Sequence, residues 1–170
     1  GDVLTIQHGF AFKASDFISS GIPVIKMGNI SKDGQLLWSS NRGSYLPEAY
    51  LKSHTRWSIQ ASDMVITLTD LSPEAEFLGA IAVYREDLPA LVNQRVGIIR
   101  DVSEAITLDF LYWSLRSPRF RAHATSVYTG SLQKHSNPTY LSSFRAALPP
   151  LEEQQRIASE LDDKIAGVNL

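Results

Sequence analysis

Cysteine is absent from these 170 residues. That excludes disulfides and thiolate metal sites, and fits a reducing cytoplasm without proving it. No apolar run approaches the roughly 20 residues that span a bilayer. The N-terminal stretch lacks the basic start and apolar core of a signal peptide. The four histidines, His8, His54, His123 and His135, are far apart with no helical ligand spacing, so no zinc site is expected. Internal repeats and low-complexity segments are also missing. Excess charge of either sign is absent too: the formal net charge is −2, at first sight a poor balance for gripping phosphates.

The charge is nevertheless sorted along the chain. Residues 152–170 hold five acids against Arg156 and Lys164, whereas residues 105–145 hold Arg116, Arg119, Arg121, Lys134 and Arg145 against Asp109 alone. One basic face on a nearly neutral body is therefore possible. With 44% hydrophobic residues, the length suits one domain with a real core plus an appendage.

Segments 3–6, 22–27, 64–69, 79–84 and 96–100 read as strands, each short, rich in β-branched residues and bounded by Gly, Pro, Asn or Asp. A long polar-aromatic stretch, 31–58, carries turn signals at Lys32-Asp33-Gly34 and Asn41-Arg42-Gly43-Ser44. Thr107 predicts an N-cap for a helix with Leu108, Leu111, Tyr112 and Leu115 on one face. Ser117 and Pro118 break it and start the next, to about Ser126. Residues 128–137 follow as a loop. The predicted fold is α+β (mixed α/β): sheet-rich in its first hundred residues, helical afterwards, and followed by the start of a long coiled-coil helix. Domain boundaries fall at 1–150 for the body and 151–170 for the helix.

That last helix has the plainest signal. Pro149 and Pro150 stop the preceding segment, and Glu152 and Glu153 occupy a first turn where the helix dipole favours carboxylates. Leu151, Gln154, Ala158, Leu161, Ile165 and Val168 then recur at steps of three and four, an a/d seam for a partner helix. The seam still runs where the sequence stops, so the helix reads as cut short.

Enzyme chemistry finds no footing. Asn137-Pro138-Thr139-Tyr140 invites comparison with the amino-methyltransferase motif, but its third position is Thr and no glycine-rich strand–turn–helix precedes it. Asn-Pro opening a turn is the expectation. Asp63, Asp70, Glu74 and Glu76 could suggest a nuclease metal site, yet the nearest lysines, Lys52 and Lys134, are remote in sequence, and solvated loop carboxylates are expected. No Ser-His-Asp arrangement is present.

Binding chemistry fares better. Tyr128, Thr129, Gly130, Ser131, Gln133, Lys134 and His135 pack donors, acceptors and an aromatic ring into eight residues. Gln pairs with adenine, Lys donates to guanine or phosphate, and Gly130 lets the backbone approach a ligand closely. A second candidate group is Lys32, Asn41 and Arg42, with Trp38 as a packing residue. Lys13 follows Phe10 and Phe12 and, by strand alternation, points away from their rings, which makes it a candidate for a phosphate rather than a base if it contacts DNA at all. Arg119 and Arg121 read either as phosphate contacts or as solvated helix surface.

The segment Pro149-Pro150-Leu151-Glu152-Glu153-Gln154 with Ile157 resembles the "P-P-L-x-E-Q-x-x-I" junction of DNA specificity subunits from type I restriction–modification systems. Gly9-Phe10-Ala11-Phe12-Lys13 with Phe17, then Gly21-Ile22-Pro23-Val24-Ile25 and Asn29-Ile30, are similar to the family's opening block. Ala61-Ser62-Asp63-Met64-Val65 is similar to its "G-D-I-L" strand entry, with Ser62 where Gly is usual. Asn93-Gln94-Arg95, Phe110 to Ser117 and Thr129-Gly130-Ser131 continue in family order, so the resemblance covers nearly the whole chain. It implies a non-catalytic target recognition domain whose "T-G-x-x-Q" loop faces double-stranded DNA. It also implies two such domains held apart by antiparallel helices, the partner being a second domain or a copy of this one. Methyltransferase and endonuclease/translocase subunits would dock on that assembly. No cofactor is expected in this chain; S-adenosylmethionine, ATP and Mg would belong to those partners. Two alternatives stay open: the recognition domain of a fused restriction–modification enzyme, and a protein–protein adapter that has lost DNA reading.

Overall fold

The computed structural model describes residues 3–37 and 43–168. Its central strand shows how the layers arise. Met64–Thr67 is buried along its whole length, and its side chains alternate between two cores. Met64 and Ile66 join a core with Leu111, Leu115 and Phe120, while Val65 joins a second with Ile25, Ala90 and Val92. A strand covered on both faces has no solvent side, which is why it reads as a continuous apolar run.

Among the described residues the strands are β1 (Thr5–His8), β2 (Ile22–Ile25), β3 (Tyr45–Leu46), β4 (Ser58–Ile59), β5 (Met64–Thr67), β6 (Thr69–Asp70), β7 (Ile81–Val83), β8 (Ala90–Val92), β9 (Val96–Arg100) and β10 (Lys134–His135). The helices are α1 (Ala49–Ser53), α2 (Leu108–Leu115), α3 (Pro118–Ser126), α4 (Pro138–Ser142) and α5 (Leu151–Val168). One sheet runs β1-β9-β5-β7, all antiparallel; the other runs β3-β2-β8-β4, with β2 and β8 parallel; β10 and β6 form a ribbon. The first sheet lies between the second sheet on one face and α2, α3 and α4 on the other, giving three layers of mixed helix and sheet.

The predicted strands are present with shifted ends: β1 begins two residues late, and the expected run 64–69 divides at Leu68. β8 was missed. It is three residues long and follows Pro89, so its sequence carried too little alternation to signal the inner strand it forms. Thr107 and Ser117 cap α2 and α3 as expected, accepting from the amides of Phe110 and Phe120 at 3.3 and 3.2 Å. The apolar face of α2 differs: Phe110 is buried with Leu111 and Leu115, while Leu108 is 46% exposed. Asn137 opens a short helix rather than a bare turn, its Oδ1 accepting from the Thr139 amide at 2.8 Å.

Helix α5 corrects the simple seam. Gln154, at a seam position, is fully buried against its own domain. Its Nε2 donates to the carbonyls of Ala105 and Pro149, and its Oε1 accepts from the Thr107 amide, each at 2.8 Å. Ala158 is also buried, Ile157 packs on the helical core, and Trp113 Nε1 donates to Asp162 Oδ1 at 3.1 Å. The first turns of the helix are therefore clamped to α2 of the same chain, because Gln154 satisfies backbone groups that the entry to α2 leaves open. Leu161 is half-buried, and Leu151 and Ile165 are exposed. The side chain of Val168 lies outside the described residues, as do Trp38, Asn41 and Arg42. No helix of the described residues is long and apolar enough to cross a membrane.

Candidate nucleic-acid interface

The loop after α3 is a hairpin. Thr129 and His135 exchange backbone hydrogen bonds of 3.0 and 2.9 Å, and β10 pairs with β6 in the register Lys134↔Asp70 and His135↔Thr69. Strand alternation sorts the side chains. Lys134 and Ser136 turn inward and are buried; Gln133 and His135 turn outward. Gly130 has φ +86, and a Cβ there would lie 2.1 Å from the Gln133 carbonyl oxygen. Glycine here is required by the hairpin's own closure.

Three predicted DNA contacts instead secure the turn after β6. Asp70 is buried and accepts from the Ser72 amide at 2.7 Å, the Ser72 hydroxyl at 2.8 Å, the Phe77 amide at 2.5 Å and the Leu78 amide at 3.1 Å. Burial alone would raise its pKa, but these hydrogen bonds together hold it below the ordinary carboxylate value. Lys134, with 5% of its surface exposed, donates from Nζ to the Ser72 carbonyl at 2.6 Å. Arg121 donates to the carbonyls of Ala75 and Leu78, and burial lowers its pKa. Lys32 pairs with Glu76 at 2.7 Å. Lys134 and Arg121 are thus corrected from readers to backbone staples, and Lys32 is engaged at the rim of the same turn. Lys134, remote from Asp70 in sequence, lies across the ribbon from it; even so, no cluster of metal-ligating side chains occurs among the described residues.

The outward face of the hairpin borders an open groove of about 940 Å³. Its other walls are the end of β1 through Phe10, the Arg56-Trp57 pair ahead of β4, and the Gln94-Arg95 turn between β8 and β9. Gly9 makes that turn possible. A Cβ on Gly9 would lie 2.2 Å from the Asn93 carbonyl oxygen, so only glycine lets β1 lean onto the turn. Gly9 and Phe10 then clasp it: the Gly9 amide donates to Val96 O at 2.9 Å, Phe10 N to Val92 O at 2.8 Å, and Gln94 N to Phe10 O at 3.0 Å. The opening block and the Asn-Gln-Arg block, remote in sequence, meet here. With its amide oxygen turned inward, Gln133 lies over the guanidinium face of Arg95, whose Nη1, Nε and Nη2 are 3.0, 3.3 and 3.0 Å away. His135 Nδ1 stands 3.0 Å from the Thr69 hydroxyl, and Gln7 Nε2 donates to Arg56 O at 2.8 Å.

A second hollow, about 650 Å³, lies on the far side of the same turn, between Gln94-Arg95 and Phe17, Lys26 and Ser44. Lys26 sits 3.9 Å over the Phe17 ring, and burial lowers its pKa. Lys13 is exposed beside this hollow, between its lining residues Phe12 and Ala14, while Phe12 is buried. Of the other predicted contacts, Tyr128, Thr129, Gly130 and Ser131 are exposed on the hairpin, and Arg119 is exposed on α3 but lines neither hollow. Sequence reasoning missed Arg56, Gln94, Arg95 and Lys26. A usable signal existed for two of them: Asn93-Gln94-Arg95 is a polar tripeptide directly before a strand, where a tight turn must present its side chains.

The sequence profile of the type I restriction modification DNA specificity domain matches residues 1–169. The chain is 31% identical over 161 residues to the type I restriction enzyme MjaVIII specificity subunit of Methanocaldococcus jannaschii, covering 94% of this chain and 37% of that protein. It is 28% identical over 169 residues to the EcoBI specificity subunit of Escherichia coli, covering 98% of this chain and 31% of that one. In fold it is similar to the crystal structure of the HsdS subunit from Thermoanaerobacter tengcongensis, with a TM-score of 0.69 and 18% identity over 98% of this chain and 36% of that chain. This chain spans about a third of the length of these relatives. With the profile matched from end to end, the chain belongs to the type I restriction modification DNA specificity domain family.

Proposed function

We propose that this domain reads one part of a double-stranded DNA target as the non-catalytic specificity component of a type I restriction–modification system. The observation that carries the reading is the groove: Arg56, Arg95, Gln133 and His135 converge on one open face, while Arg121, Lys134, Lys32 and Arg156 are paired with the chain's own backbone or carboxylates. Such a face offers donors and acceptors to base edges together with positive charge to phosphates. Residues 1–150 are the reading body and 151–170 the start of the spacer helix, whose exposed Leu151 and Ile165 and half-buried Leu161 meet a second recognition domain's helix. Methyltransferase and endonuclease subunits dock on that assembly in the cytoplasm and bring S-adenosylmethionine, ATP and Mg with them.

Selection from a pool of randomised duplexes by the full specificity subunit, assembled with its methyltransferase partner, tests this. A discrete motif should be enriched, and binding should weaken as salt rises. Recovery of unselected sequence, or binding indifferent to salt, overturns the reading.

A further inference from the structure

The Gln94-Arg95 turn stands between two hollows, and both of its side chains line both of them. Each hollow has a cation of its own, Arg56 in the larger and Lys26 in the smaller. A ridge flanked by two hollows is the relief that a duplex groove requires: the ridge enters the groove while the two sugar–phosphate strands occupy the depressions on either side. A major groove about 12 Å wide admits an α-helix or a two-stranded ribbon, and so has room for a single tight turn. We infer that the Gln94-Arg95 turn enters the major groove and that Arg95 reads a guanine there, with Gln133 as its positioning residue. The inference rests on the DNA-reading function proposed above and deepens it.

Three observations favour a base over a phosphate for Arg95. The turn is fixed by backbone hydrogen bonds from Gly9 and Phe10, so its side chains start from a defined place, as reading requires and simple charge attraction does not. The Gln133 oxygen stands nearly equidistant from all three guanidinium nitrogens, which puts it over the flat face of the guanidinium, where it holds the plane and leaves the outer N–H edge open. That edge matches the paired acceptors N7 and O6 of guanine. Finally, Arg56 and Lys26 already supply a cation to each flanking hollow.

The test uses the full specificity subunit with its methyltransferase partner and the randomised duplex pool. The wild-type motif should contain a guanine whose replacement weakens binding about ten- to a hundredfold. Arg95→Ala removes the fork; it should erase preference at that one base pair and leave the other positions of the motif intact. Gln133→Ala should weaken preference at the same position and no other. Placing 7-deazaguanine there, which removes N7, should weaken the wild-type complex and leave the Arg95→Ala complex unchanged. If Arg95→Ala selects the wild-type motif unchanged, or lowers affinity for all sequences equally and shallows the salt slope, the arginine does not read a base and the inference fails. A wild-type assembly that selects no motif overturns the function proposed above instead.

Discussion

Two polar turns lie at the same end of the paired strands β5 and β9, and they use their charges in opposite ways. The turn after β6 faces its own backbone. Asp70 gathers amides, Lys134 and Arg121 gather carbonyls, and little charge is left for a ligand. The Gln94-Arg95 turn satisfies its backbone through Gly9 and Phe10 and leaves its side chains to the groove. A cation thus becomes structural where the backbone around it has orphan carbonyls, and becomes available where the backbone is already paired. Burial decides between the two roles, since an unmatched carbonyl away from water is costly and a charged donor relieves it.

Breaking the inward turn should have the largest effect. Asp70→Ala strands three amides and a hydroxyl and removes one of the carboxylates acting on Arg121; a loss of about 3–5 kcal/mol in urea unfolding is expected. The same residue sets an acid limb. Because its folded pKa lies below the ordinary carboxylate value, its contribution is fully present above about pH 4 and disappears as pH falls through the depressed folded value. Asp70→Asn should flatten that limb in unfolding midpoints measured from neutral to acid pH. A steep limb that survives in Asp70→Asn would assign it to other carboxylates.

Gln154→Leu comes next. It keeps the volume but abandons two carbonyls and the Thr107 amide, with an expected loss on the order of 2–4 kcal/mol and faster amide exchange at the start of both α2 and α5. Unchanged exchange there would mean that the apolar contacts of Ile157 and Ala158 hold the helix alone.

The comparison is sharpest between two arginines. Arg121→Ala should lower stability by about 1–3 kcal/mol and alter DNA affinity only through folding. Arg56→Ala should leave stability unchanged and shallow the salt dependence of DNA binding by about one unit. Thermal melts and fluorescence anisotropy at several salt concentrations separate them, and a reversed pattern would invert the assignment of the two faces.

Much of the fold was legible because its signals are local. Thr107, Ser117 and Pro118 mark their helices by capping chemistry within a few residues, and the periodicity after Pro150 marks α5. The site was less legible because its signals are relational. Lys134 and His135 are sequence neighbours, and their opposite fates follow from pairing with Asp70 and Thr69 more than sixty residues earlier. Gln154 fits a heptad by spacing, while its role depends on carbonyls at Ala105 and Pro149. Ser62 shows a local departure with a physical meaning: its φ of +76 is the left-handed conformation that explains why glycine suits this position. Ser62→Gly should stabilise the protein by about 0.5–1 kcal/mol, the smallest effect expected, visible as a small rise in melting temperature.

The central claim is that the reading face is built around the Gln94-Arg95 turn and the outward edge of the hairpin. Hydrogen exchange of the full specificity subunit, assembled with its methyltransferase partner and compared with and without duplex DNA, tests it most directly. Within this domain, protection by DNA should appear in 9–13, 54–57, 93–96 and 129–135, and should be absent from 72–78 and from α3. Protection concentrated on α3 or on 72–78, with 93–96 unaffected, would contradict the account.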